Sequence, residues 1–268
     1  GTLLRLFRLV PDGLELEPLL AEARSQLHRE ANYLFEAEQL RAYRSALGRQ
    51  PGYRIPGVAE DLTTRTVLAM ELVDGQPIES VATAPRRTRD RVARRLVELS
   101  LQEVFDWGLV QTDPNFANFR YRPEEDEIVL LDFGATRRLQ PQRVEAFRTL
   151  IAASLGQDRA AVEAAAMAVG YLAPQDPPAY RRGIVKLLEN AAEPARHPGQ
   201  FDFARSDLSE RISHQAVSLR IEQGFGRLPP PDILYLHRKL GGLYLLLRRL
   251  SARVAVSELI APYLNRSR

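Results

Sequence analysis

Two polar interruptions of otherwise apolar sequence constrain this chain more than any other feature: DWGLVQTDPNFANF over 106–119 and VLLDFGA over 129–135. The first follows an apolar, helix-like run and places Asp113, Pro114, Asn115 and Asn118 in quick succession. The second puts Asp132 and Gly134 directly after an apolar strand pattern. Between them FRYR and EIVLLDF flank the turn-like PEED and read as a short hairpin. Adjacent antiparallel strands return the chain on itself, so this hairpin carries Asp132 back to the neighbourhood of Asn118. The fold must let the two aspartates meet.

The rest of the chain reads as a small mixed unit followed by a mostly helical one. Leu20, Ala23, Leu27, Ala31 and Leu34 recur at helical spacing within a long helix expected over 18–47, with Gly48 as its stop. YRIPGVAEDL and TRTVLAMELVDG are short apolar runs, the second ending in Asp74-Gly75, and suit two antiparallel strands. From Pro85 a helix runs to about Asp106, with Val92, Leu96 and Leu99 on one face and Gly108 beyond its end. After Pro141 helices are expected over 141–156, 158–171, 176–193, 206–223 and 231–250, with a last one near 255–264. The fold class is therefore α+β, with a large helical C-terminal part.

Composition removes several chemistries. There is no cysteine, and His28, His197, His214 and His237 share no ligand-like spacing, so structural zinc is not expected. Only Lys186 and Lys239 are lysines; arginine carries nearly all the positive charge of a chain whose formal net charge is +3. That surplus suits solvated arginine faces or attraction to anionic lipid. The arginines are scattered without interleaved aromatics, which argues against nucleic acid as a partner. The apolar run LGGLYLLL at 240–247 is hemmed by Arg238, Lys239, Arg248 and Arg249 and falls short of the about 18 residues of a membrane span. A first residue of glycine, with no signal-like segment, suggests a piece of a longer protein.

The chemistry that needs this constellation is phosphoryl transfer. Such a site requires a carboxylate to orient or deprotonate the acceptor, and oxygen ligands that hold magnesium against the phosphates. A kinase catalytic loop supplies them as an Asp, four residues and an Asn, followed by an Asp-Phe-Gly. Asp113 and Asn118 have that spacing, and Asp132-Phe133-Gly134 follows beyond the hairpin. Asp113 is the expected catalytic group, with Asn118 and Asp132 as metal ligands. Upstream, Met70 would sit behind an adenine, and Glu71 and Val73 would offer it main-chain hydrogen bonds. In SQLHREANYLFEAEQL, Glu30 and Glu36 lie about 120° apart around the helix axis and so serve different partners, whereas Asn32 and Glu36 share a face.

REANYLFEAE, VLAMELVDG, QTDPNFANF, VLLDFGATR and LHRKLGG, in that order, make the chain resemble the ABC1/UbiB/COQ8 group of atypical protein-kinase-like proteins, nearest the COQ8 type. The resemblance implies a protein-kinase-like two-lobe fold with a truncated N-lobe over 1–73 and a large C-lobe over 74–268. It implies ATP and Mg2+ as cofactors, ATPase or small-molecule or lipid kinase activity, and support of ubiquinone biosynthesis. Partners would be quinone-precursor lipids and quinone-biosynthesis enzymes, with a cytoplasmic protein lying peripheral to the inner membrane. Glu36 is similar to the glutamate that pairs with the ATP lysine, and Glu30 to the first residue of the family's Glu-x-Asp motif. Asn32 departs from that motif's aspartate. The family's ATP lysine precedes the glutamate helix, and both lysines of this chain follow Asp132, so weak nucleotide binding by these 268 residues is expected. A nucleotide-sensing scaffold and an aminoglycoside- or choline-type phosphotransferase are the other readings.

Overall fold

The computed structural model describes residues 32–223 and 229–265. Helix α1 (Tyr33–Leu47) begins after Asn32 and stops at Gly48, whose φ of 63° lies in the left-handed region. The part of the long helix expected over 18–31, with Glu30 in it, lies outside the described residues. Strand β1 (Tyr53–Arg54) follows, and then a ribbon in which Ala59 N–H donates to Ala69 O at 2.8 Å and Val58 bridges Met70 antiparallel. The two apolar runs thus pair antiparallel as expected, but only over this short ladder. Leu62, Val67 and Leu72 are solvent-exposed on the ribbon.

Strand β2 (Gln76–Pro77) leads through a 3-10 turn (Ile78–Thr83) into α2 (Arg86–Gln102), whose Val92, Ala93, Leu96 and Leu99 are buried. The helix does not continue to Asp106 as its sequence suggests. It widens into a π-turn over Glu103–Trp107, ended by Gly108 at φ 56°. Then come β3 (Leu109–Gln111), a 3-10 turn (Phe116–Asn118), β4 (Phe119–Arg122), β5 (Glu127–Leu130) and β6 (Thr136–Arg138). The expected hairpin is present, with Phe119 opposite Leu130 and Arg122 opposite Glu127. It forms the middle of a four-stranded sheet in the order β1-β5-β4-β2, in which β1 runs parallel to β5. Strand β3 pairs antiparallel with β6, placing Gln111 opposite Thr136.

The helical part holds α3 (Pro141–Gly156), α4 (Arg159–Val169), α5 (Pro178–Ala191), α6 (Glu193–Arg196), α7 (Leu208–Gln223), α8 (Pro231–Arg249) and α9 (Val256–Leu264), with the small β7 (Phe201–Asp202) and β8 (Arg253–Val254) paired antiparallel. Their starts are legible locally: α3, α5 and α8 each open on a proline, whose fixed φ and missing N–H suit a first turn. Helix α4 instead starts on Asp158, whose carboxylate accepts from Ala160 N at 3.0 Å and Ala161 N at 3.2 Å. Val162, Ala166 and Val169 of that helix are fully buried, so loss of the cap is felt by the packed core. Asp158→Ala is expected to cost about 1 kcal/mol of folding stability, read as a lower urea midpoint with an unchanged m-value.

Among the described residues two apolar cores result. One joins Leu40 and Tyr43 of α1 to Val92, Leu96 and Leu99 of α2, Ile128, Phe133 and the end of α8 at Leu246, Leu247 and Leu250. The other joins Phe147, Val162, Ala166, Tyr180 and the start of α8 at Ile233 and Leu236. Successive side chains of a strand point to opposite faces. On β3, accordingly, Leu109 belongs to the first core and Val110 to the second. The residues that follow, 111–118, are therefore carried at the junction of the two cores.

Candidate functional site

The segment after β3 is held at both ends before its side chains do anything. Thr112 Oγ1 donates to Ala135 O at 2.7 Å, tying its start to the far side of Asp132-Phe133-Gly134. Asn115 Oδ1 accepts from Ala117 N at 3.0 Å, a side-chain turn that closes the loop. Leu131 N donates to Asn118 O at 3.0 Å, which sets the loop's end against the strand leading to Asp132.

Within that frame Asn118 Nδ2 donates to Asp113 Oδ2 at 2.7 Å. An amide that donates through nitrogen retains its oxygen as an acceptor or ligand. Asp132 Oδ1 accepts from Gly134 N at 2.9 Å, and Asp132 O accepts from Gln111 Nε2 at 3.3 Å, which orient the residue by its own backbone. Asn118 and Asp132 line one crevice with Gln111, Leu130, Leu131, Phe133 and Lys239. Asp113 lines the adjoining one with Pro114, Phe116, Phe119 and Gly242, and Phe119 and Lys239 belong to both. The structure brings Asp113, Asn118 and Asp132 to one place.

Glu36 belongs to the same group. Its carboxyl lies above the ordinary glutamate range because of burial first and the Asp132 carboxylate second, opposed by a hydrogen bond from Phe133 N–H. A Cβ built on Gly134 would stand 3.5 Å from Asp132 Oδ1 and 3.6 Å from Glu36 Oε2, so the two carboxylates converge on that glycine. Two carboxyls that converge in this way disfavour joint ionisation, which pushes Glu36 toward its protonated form.

The upstream segment is placed differently. Met70 is 38% exposed in the ribbon. Glu71 N–H donates to Gly57 O at 2.7 Å, so the main-chain donor expected to meet a base is already engaged. The Glu71 carboxylate accepts from Gly57 N–H and pairs with Arg54, and both lower its pKa. Val73 is half-buried just before β2, and Arg120 of β4 reaches back to Gly75 O at 3.0 Å.

Sequence reasoning passed over Glu103 and placed Lys239 in the helical part without a role. Glu103 is 0% exposed and Lys239 6%, and their ion pair closes at 2.7 Å. Glu103 Oε1 also accepts from Tyr43 OH at 2.8 Å and from Gln111 N at 3.1 Å. Burial and Glu103 itself push the Tyr43 hydroxyl far above its ordinary value, so it keeps its proton and donates. The signal was a single charged residue in each of two otherwise uncharged helical stretches, LQEVF and KLGGLYLLL.

Among the described residues no cluster of three or more His, Asp or Glu side chains is arranged to hold a metal ion. Magnesium is commonly held by one or two carboxylates and completed by waters and substrate phosphates. An amide oxygen from Asn118 and a carboxylate from Asp132 fit a Mg2+ that arrives with a nucleotide.

The sequence profile of the ABC1 atypical kinase-like domain matches residues 1–166. "Atypical kinase COQ8B, mitochondrial" of Rattus norvegicus is 30% identical over 257 residues, covering 96% of this chain and 48% of the relative. "Atypical kinase COQ8, mitochondrial" of Saccharomyces cerevisiae is 31% identical over 254 residues, 94% of this chain and 50% of the relative. The chain thus spans about half the length of these relatives. The solved complex of Rv3197 with erythromycin from Mycobacterium tuberculosis superposes with a TM-score of 0.74 at 19% identity, over 97% of this chain and 65% of that one. That likeness is one of fold.

Proposed function

The chain belongs to the ABC1 atypical kinase-like family, and from that premise we propose that it forms part of an ATP-dependent enzyme supporting ubiquinone biosynthesis. The observation that carries the reading is the convergence of Asp113, Asn118 and Asp132, joined by the 2.7 Å bond from Asn118 to Asp113. Asn118 and Asp132 hold Mg2+, and Asp113 orients or deprotonates the acceptor, a small molecule, a lipid or water. Bound Mg-ATP would supply the phosphoryl group and offset its charge. Met70, Glu71 and Val73 border the adenine, with the Glu71 N–H held by Gly57 O rather than by the base, and Glu30 and Glu36 serve separate cationic partners.

Only six residues separate Gly134 from Pro141, and β6 occupies three of them. That leaves no long activation segment on which a peptide could lie, which favours a small acceptor over a protein. Lys239 is engaged by Glu103 and Lys186 is exposed on α5, so neither meets Glu36. The 268-residue chain therefore binds Mg-ATP weakly. No described helix is long and apolar enough to cross a membrane; contact with the inner membrane, with quinone-precursor lipids and with quinone-biosynthesis enzymes is peripheral in this reading.

The test is Asp132→Ala in the protein at its full gene-encoded length. Loss of both ATP turnover and quinone formation in cells supports the enzyme. Loss of turnover with quinone formation intact would replace it with a nucleotide-sensing scaffold.

A further inference from the structure

The phosphoryl-transfer reading makes no use of the one ion pair that, among the described residues, is buried on both sides, Glu103–Lys239. Removing two charges from water costs several kcal/mol per ion, and well-packed apolar residues often do as well or better for stability. The Glu103–Lys239 pair is thus a poor way to hold a core together, which directs attention to what it touches.

Glu103 sits at the first position of the π-turn that closes α2, an irregularity frequent at functional sites. Its two oxygens join three separate elements. Oε1 takes Tyr43 OH from α1, two helical turns beyond Glu36, and Gln111 N–H from the last residue of β3, two residues before Asp113. Oε2 forms the ion pair with Lys239 Nζ of α8 at 2.7 Å. Lys239 also stands 6.0 Å from the centroid of the Phe119 ring, beside Asn118. Its neighbour Arg238 approaches Asp113 Oδ1 at 3.9 Å. One turn on, Gly242 packs so closely that an added Cβ would fall 2.3 Å from Pro114 Cβ.

We propose that Glu103 and Lys239 are positioning residues: their buried pair locks α8 and α1 to the backbone of Gln111, and so fixes where Asp113 and Asn118 stand relative to Asp132. The inference rests on the reading of those three residues as the phosphoryl-transfer site. Lys239 lines the crevice beside Asn118 and Asp132, but its ammonium is engaged by Glu103, so both residues act through the loop. A displacement of about 1 Å at such a loop lowers turnover by about 10²-fold.

Lys239→Met alone strands a buried carboxylate and could unfold the protein. The decisive variant is therefore the double replacement Glu103→Gln/Lys239→Met, in which the amide oxygen still accepts from Tyr43 OH and Gln111 N–H while the tie to α8 is gone. Two readouts are taken on the full-length protein: kcat and KM for Mg-ATP hydrolysis, and amide hydrogen exchange over residues 109–118. The expected result is a kcat lower by about 10²-fold, a KM for ATP changed less than kcat, and faster exchange over the loop. Wild-type kcat together with unchanged loop exchange would overturn the proposal and leave the pair a structural contact. If the unaltered protein turns over no ATP, the phosphoryl-transfer reading fails by itself. The exchange measurement then still judges the tie, with unchanged protection in the double variant contradicting it.

Discussion

Asp113→Asn is expected to lower Mg-ATP turnover by about 10²–10⁴-fold, the range contributed by a positioned general base, while leaving the fold intact. The separation of effects follows from the loop geometry. Asn118 Nδ2 donates to Asp113 Oδ2, and an asparagine at 113 still presents one oxygen to accept that bond. Thr112, Asn115 and Leu131 hold the loop through bonds that do not involve the Asp113 side chain. What disappears is the negative charge facing the acceptor. The melting temperature and the nucleotide affinity are expected to stay near those of the unaltered protein while kcat collapses. Retained turnover would remove Asp113 from the chemistry.

The second large effect comes from two adjacent glycines in α8 with opposite expectations. Alanine is favoured over glycine in a helix interior by about 1 kcal/mol. At Gly241 an added Cβ meets nothing within 4 Å, so Gly241→Ala should gain close to that amount. At Gly242 the same Cβ would lie 2.3 Å from Pro114 Cβ and 3.0 Å from Pro114 Cα. A proline ring on its own backbone cannot swing aside, so helix or loop must move, and overpacking of this kind costs about 1–3 kcal/mol. Gly242→Ala should therefore unfold at lower denaturant than the unaltered protein. It should also lose turnover, because the displaced residue is the neighbour of Asp113. Equal stability of the two variants would show that α8 does not press on the loop.

The order of elements was largely legible because its punctuation is chemical and local. Pro141, Pro178 and Pro231 start helices, Asp158 caps one, and Gly108 ends the π-turn. The hairpin was readable from the turn-like PEED between FRYR and EIVLLDF and appears as β4 and β5. Less legible were pairings between distant segments. The parallel contact of β1 with β5 and the antiparallel contact of β3 with β6 depend on how the cores close, and no local pattern marks them. The π-turn was invisible for a related reason: EVFDW reads as one more turn of α-helix, and only the claims of Tyr43, Gln111 and Lys239 on Glu103 distinguish it.

The site divides the same way. Asp113, Asn118 and Asp132 could be brought together on paper because a short hairpin, now seen as β4 and β5, lies between Asn118 and Asp132. Glu36 could be assigned to a charged partner but not to the side of Asp132, since α1 reaches the site through packing of Leu40 and Tyr43 in the core. Glu103 and Lys239 are 136 positions apart in the sequence, and no local signal says that they pair with each other. Each looked like an ordinary charge on a helix until the fold buried both.

The most direct test of the account is a crystal structure of the full-length protein with Mg2+ and a non-hydrolysable ATP analogue. The account predicts a cation about 2.1 Å from both a carboxylate oxygen of Asp132 and Oδ1 of Asn118, with Asp113 facing the terminal phosphate. A cation bound to the nucleotide but held by neither side chain, or a nucleotide lodged away from this crevice, would contradict it.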